Sequence, residues 1–154
     1  MLEGMLDPSP SPWMPLGSLL VHAGVITAEQ LELALIDQQQ NPGRRLGRVL
    51  VECGWASSTE IALALSEQYG IAFLDVRESL FDTNAAACID RALAERCQAV
   101  PVRFLPDGVL LIAVADPTDV GGVEQMHEAA GMPIRIAVAD SESLAEAFAR
   151  VYGE

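Results

Sequence analysis

The sequence predicts an α+β fold in two parts, a helical subdomain of two repeated helix pairs followed by a small mixed α/β subdomain. Three observations predict it. A pattern of leucines, glycines and a terminal glutamine recurs after thirty residues, from Leu16 to Leu46. The texture changes after Gly70 from helical spacing to short β-like runs. Further segments of helical spacing lie between and after those runs. A chain of 154 residues suits one ordinary domain or two small ones sharing a surface. The boundaries read from these changes are an arm over 1–12, the tandem repeat over 13–70 and the α/β part over 71–154.

In order along the chain, the arm interleaves Pro8, Pro10 and Pro12 with Ser9 and Ser11, a proline density that predicts an extended, disordered segment. The first repeat copy reads Leu16-Gly17, Leu20-Val21, Gly24, Thr27, Leu31, Leu35 and Gln38; the second reads Leu46-Gly47, Leu50-Val51, Gly54, Ser57, Ile61, Leu65 and Gln68. In each, a short helix stops at a glycine able to take the left-handed conformation, Gly24 or Gly54. The next helix opens on a capping box, Thr27 with Gln30 or Ser57 with Glu60, in which cap and third residue satisfy each other's free amides. Steps of three and four then line up an apolar stripe that ends in an amide. Asn41-Pro42-Gly43 is a turn between the copies. Beyond Gly70, strands are expected over 71–76, 99–105, 109–115 and 134–139, with helices over 85–97, 120–130 and 141–152. Pro106-Asp107-Gly108 joins the two central strands as a hairpin turn.

Composition narrows function. Hydrophobic residues make up 51% of the chain and charged ones 20%, as in folded soluble proteins. A formal net charge of −13, with no long basic run, repels a phosphate backbone, so DNA and RNA are not expected partners. All nine cationic residues are arginines, three of them at Arg44, Arg45 and Arg48; without lysine there is no phosphate loop of the Gly-Lys-Ser/Thr type and no Schiff-base chemistry. Cys53, Cys88 and Cys97 are too few and too dispersed for a disulfide scaffold, which points to a reducing cytoplasm. No apolar stretch reaches the about 20 residues of a membrane helix, so direct insertion is not expected.

Residues 15 to 70 resemble the N-terminal domain of type II secretion and type IV pilus assembly ATPases, the MshEN class. The resemblance continues through Ile71-Ala72-Phe73-Leu74-Asp75, Ala99-Val100-Pro101-Val102, the run from Ala113 to Asp119, and Val151-Tyr152-Gly153. In that family the repeated pattern is Arg-Leu-Gly, paired aliphatics, a glycine, and a leucine-spaced helix ending in glutamine, and it binds cyclic di-GMP. The resemblance implies that Leu16, Gly17, Leu31, Leu35 and Gln38, with Arg45, Leu46, Gly47, Ile61, Leu65 and Gln68, line the ligand groove. Ile61 stands where the family usually has leucine, and Pro15 stands where its first copy carries arginine, a loss that Arg44 or Arg48 could offset. Asp116 also matches a family position, although Asp-Pro after a strand reads equally as a turn.

Two functions follow as expectations. One is a regulatory module that binds cyclic di-GMP, with no other cofactor, and acts on a secretion or pilus assembly ATPase or on membrane-platform proteins. The other is a docking domain of such a system that binds no nucleotide. Catalysis is not expected, because Ser57, Ser58 and Cys53 are explained by helix ends and no base or oxyanion hole accompanies them. His22 and His127 lie apart without metal-ligand spacing, so they are read as structural, and Trp55 as a core anchor.

Overall fold

A computed structural model describes residues 15–153, and the proline-rich arm expected over 1–12 lies outside them. The repeat forms four helices: α1 (Leu16–His22), α2 (Ala28–Gln40), α3 (Leu46–Glu52) and α4 (Ser58–Tyr69). Both capping boxes form as expected, with Thr27 accepting from the amide of Gln30 and Ser57 from that of Glu60, each answered by the reciprocal side chain. Gly24 and Gly54 take φ of +80° and +78°, the left-handed turn that only glycine adopts freely. The paired apolar stripes meet in one core of Leu19, Leu20, Ile26, Ala34, Val49, Leu50, Ala56, Ile61 and Ala64. Trp55 packs against it as the anchor expected.

The second half comprises α5 (Thr83–Ala86), α6 (Arg91–Cys97), β1 (Ala99–Phe104), β2 (Leu110–Val114), α7 (Val120–Ala130), β3 (Ile134–Val138) and α8 (Ser141–Tyr152). The sheet order is β1-β2-β3, with β1 antiparallel and β3 parallel to the central β2. Every residue of β2 is buried because both faces of the sheet are covered. Leu110, Ile112 and Val114 face Ile89, Leu93, Cys97 and Met126. Leu111 and Ala113 face Val76, Ala137, Leu144 and Ala147.

Two expectations are corrected. The strand expected over 71–76 reduces to a single parallel bridge, Phe73 with Val138, flanked by hydrogen bonds from the Leu74 amide to the Val138 carbonyl and from the Val138 amide to the Ala72 carbonyl. The single helix expected over 85–97 is two helices. Asp82 caps α5 through the amide of Asn84, Asp90 caps α6 through that of Leu93, and Ile89 between them is fully buried. The hairpin turn stands as expected, with Gly108 at φ +84° and Leu105 bonded to Val109 across it.

The halves are joined rather than tethered, since α4 packs on β3 and α8. Ser58, the first residue of α4, donates to Asp140 Oδ1 at 3.3 Å, and Asp140 also caps α8 by accepting from the amide of Ser143 at 2.7 Å. One carboxylate therefore sits at the starts of two helices. Burial alone would raise its pKa; the Ser143 amide, the Ser58 hydroxyl and the charge of Arg77 outweigh it and hold Asp140 below the usual range.

Candidate functional site

The repeat brings the two Leu-Gly motifs together at the starts of α1 and α3. A β-carbon on Gly17 would lie 2.5 Å from Leu31 Cδ1 and 3.1 Å from Leu46 Cδ2; one on Gly47 would lie 2.8 Å from Ile61 Cγ2. Each glycine thus allows the second helix of its own copy to cross closely, and Gly17 also seats the leucine of the other copy. Neither Pro15 nor Arg45, the residues preceding α1 and α3, caps its helix with a side chain.

Apolar residues of the expected groove are incompletely covered. Leu35 is 42% exposed, and Leu16, Leu31, Leu46 and Leu65 are partly buried, whereas Ile61 is buried. All but Ile61 of these apolar side chains remain partly open to water. Gln38 is spoken for: its Nε2 donates to the carbonyl of Arg44 at 3.0 Å. Gln68 is buried.

All three arginines of the cluster meet carboxylates. Arg44 Nη1 lies 3.1 Å from Asp37 and its Nη2 pairs with Glu52. Arg48 Nε holds the other oxygen of Glu52 at 3.0 Å. The hydrogen bond from Arg48, with the nearby charge of Arg44, keeps the Glu52 carboxyl below its ordinary range. Arg45 reaches across to the second half and pairs with Asp116 Oδ2 at 2.6 Å, with the arginine side chain 66% exposed and the aspartate 14%. That contact is ionic, since Asp116 Oδ2 has no aligned hydrogen-bond donor. The other oxygen of Asp116 closes a turn, accepting from the amide of Thr118 at 2.9 Å. Asp116 is therefore both a turn residue and the partner of Arg45, and sequence spacing carried no signal of that pairing.

His22 and His127 are exposed, and no cluster of three or more metal-ligating side chains occurs among the described residues. Burial and the charge of Asp119 push the Cys97 thiol up, away from nucleophilic chemistry. No helix among the described residues is long and apolar enough to cross a membrane.

Comparisons with known proteins give consistent matches. The MshEN domain profile matches residues 69–154, more than half of the chain, starting at the end of α4. The type IV pilus assembly ATPase PilB of Myxococcus xanthus (strain DK1622) is 31% identical over 139 residues; these span 90% of this chain but 24% of that protein. A solved structure of MshE with cdg superposes with a TM-score of 0.76 at 31% identity, covering 90% of this chain and 99% of that one. The N-terminal domain of XpsE superposes with a TM-score of 0.75 at 21% identity over 94% of this chain and 99% of its own, a likeness of fold. The tandem repeat lies before the profile match, so its kinship rests on PilB and MshE.

Proposed function

Because the chain belongs to the MshEN domain family, we propose that it is a regulatory module whose tandem helical repeat binds cyclic di-GMP in a secretion, pilus or export system of the cytoplasm. The observation that carries this reading is the junction of the two motif copies. Leu46 of the second copy packs on Gly17 of the first, with the partly covered leucines alongside and the exposed Arg45 at the start of α3. A two-fold symmetric ligand suits a duplicated motif, and MshE, solved with cdg, shares 31% identity.

In this reading Arg45 stacks on a guanine or pairs with a phosphate, and Leu16, Leu31, Leu35, Leu46, Ile61 and Leu65 meet purine faces. Gly17 and Gly47 admit the ligand close to the backbone, and Gln38 and Gln68 supply amides. Arg48 and Asp116 lie at the margin. Arg45 must exchange Asp116 for the ligand, a swap of one anion for another that limits the net gain. Binding that orders the repeat would alter its seating on α8 and β3 and thereby an interface with the ATPase or its membrane platform.

One observation favours the second reading, a docking domain that binds no nucleotide: Pro15 stands at the first-copy position of Arg45, so the arginine is not duplicated. Isothermal titration with cyclic di-GMP, cyclic di-AMP and GTP separates the two. Selective, saturable binding that weakens roughly ten- to hundredfold in Arg45→Ala, the worth of one charge-assisted contact, is expected. No heat and no thermal shift at saturating nucleotide would leave docking as the function.

A further inference from the structure

We propose that Arg44 is a positioning residue for the nucleotide groove, a brace across the turn between the two repeats that aims Arg45 without touching the ligand itself. The proposal rests on the reading that Arg45 holds a cyclic dinucleotide. Its basis is the way Arg44 is bound at both its ends. The guanidinium spans from Asp37, near the end of α2, to Glu52, the last residue of α3. The backbone carbonyl of the same residue accepts from Gln38 Nε2 at 3.0 Å, and its amide donates to the carbonyl of Asn41 at 3.3 Å. Asn41 in turn donates from Nδ2 to the side chain and the carbonyl of Asp37, both at 3.1 Å. The turn of Asn41, Pro42 and Gly43 is thus tied to both flanking helices immediately before the residue that points at the second half of the protein.

Charge explains why the brace itself makes a poor anion site. Arg44 and Arg48 face Asp37 and Glu52, two cations against two carboxylates, so an approaching phosphate meets no net positive charge there. Arg45 differs from both in its partner: it pairs with Asp116, in the loop after β2, whereas Arg44 and Arg48 share the carboxylates of α2 and α3. The sequence does not repeat these residues in the first copy, where Met14 and His22 stand at the positions equivalent to Arg44 and Glu52. It belongs to the junction and not to the repeat.

The test is cyclic di-GMP titration of the full chain as Asp37→Asn, Glu52→Gln, Arg44→Gln and the Arg44→Gln/Glu52→Gln double variant, with amide hydrogen exchange of each in the absence of ligand. A positioning role predicts that removing either carboxylate lowers affinity roughly three- to tenfold, about as much as Arg44→Gln, with the double variant no worse than the single. Exchange should quicken at residues 43 to 46 while β2 and α8 keep their protection, which separates a local brace from general destabilisation. Unchanged or tighter binding in Asp37→Asn and Glu52→Gln, alongside weaker binding in Arg44→Gln, would make Arg44 a direct ligand contact and overturn this proposal alone. Absence of binding by the unaltered chain would overturn the nucleotide reading and this proposal together.

Discussion

Replacing Gly47 by alanine tests whether the paired glycines exist for close helix crossing. The added methyl would sit 2.8 Å from Ile61 Cγ2, well inside contact distance. Ile61 is branched at its β-carbon and buried, so the offending methyl cannot swing aside without a change of rotamer in a packed core. Overpacking of this kind costs about 1 to 3 kcal/mol, against which alanine returns at most about 1 kcal/mol of helix propensity. The net expectation is a loss of up to about 2 kcal/mol, a fall in melting temperature of up to about 8 °C for a domain of this size. Gly17→Ala makes an instructive control: its new methyl would lie closer still, 2.5 Å from Leu31 Cδ1, yet that atom ends a flexible and only partly buried side chain. It should stay within about 1 kcal/mol of neutral. Adding Ile61→Leu to Gly47→Ala moves the branch one carbon outward and should recover most of the loss. Urea unfolding at unchanged slope would measure all four chains. If Gly47→Ala proved more stable than the unaltered chain, the propensity gain alone would be acting and the crossing argument would be refuted.

Other outcomes follow from the same geometry. Thr27→Ala and Ser57→Ala should each lower stability by about 0.5 to 2 kcal/mol in thermal melts, through loss of a complete capping box; equal melts would show that the boxes contribute nothing. Asp140 is held ionised in the fold below its ordinary pKa of 3.8, so its contribution is complete above that value and disappears as the pH falls through the lowered one. Asp140→Asn should therefore flatten the acid limb of the stability profile in urea titrations run at stepped pH. Tyr152 is raised to about 12, chiefly by burial, with its hydroxyl 2.8 Å from the carbonyl of Ile89 and 3.2 Å from that of Ala86. Its contribution is complete below the ordinary value of 10.0 and is lost as the pH climbs through about 12; a tyrosinate absorbance titration of Tyr69→Phe should place the midpoint there, and Tyr152→Phe should abolish it.

The sequence revealed the elements whose signals are local. Thr27 with Gln30 and Ser57 with Glu60 mark helix starts within four residues, and Gly24, Gly54 and Gly108 mark turns that require positive φ. Helices α7 and α8 carry their own periodicity, and their observed bounds equal the expected ones. Elements decided by remote partners leave no such signal. The apolar neighbours of Phe73 predict a strand, but β3, the strand it joins, offers it only one bridge. Asp90 leaves no sequence signal as a cap, because Ala85, Ile89 and Leu93 keep helical spacing straight through it. The same limit applies to the candidate site: Arg45 and Asp116 were each legible as residues of interest, yet their ion pair depends on how the loop after β2 packs beside α3, which no spacing encodes.

The carboxylate of Asp140 limits how far the repeat can be separated from the rest of the chain. It caps the start of α8, which packs on α4, and accepts the hydroxyl of Ser58 with the same oxygen, so the boundary between the halves cuts through a shared group. Excised after Tyr69, the repeat would lose both that acceptor and the surface of β3 on which α4 lies, and Arg45 would lose its counter-ion. A graft that keeps the geometry of the groove must carry the α/β half with it, which makes the smallest transferable unit the joined pair.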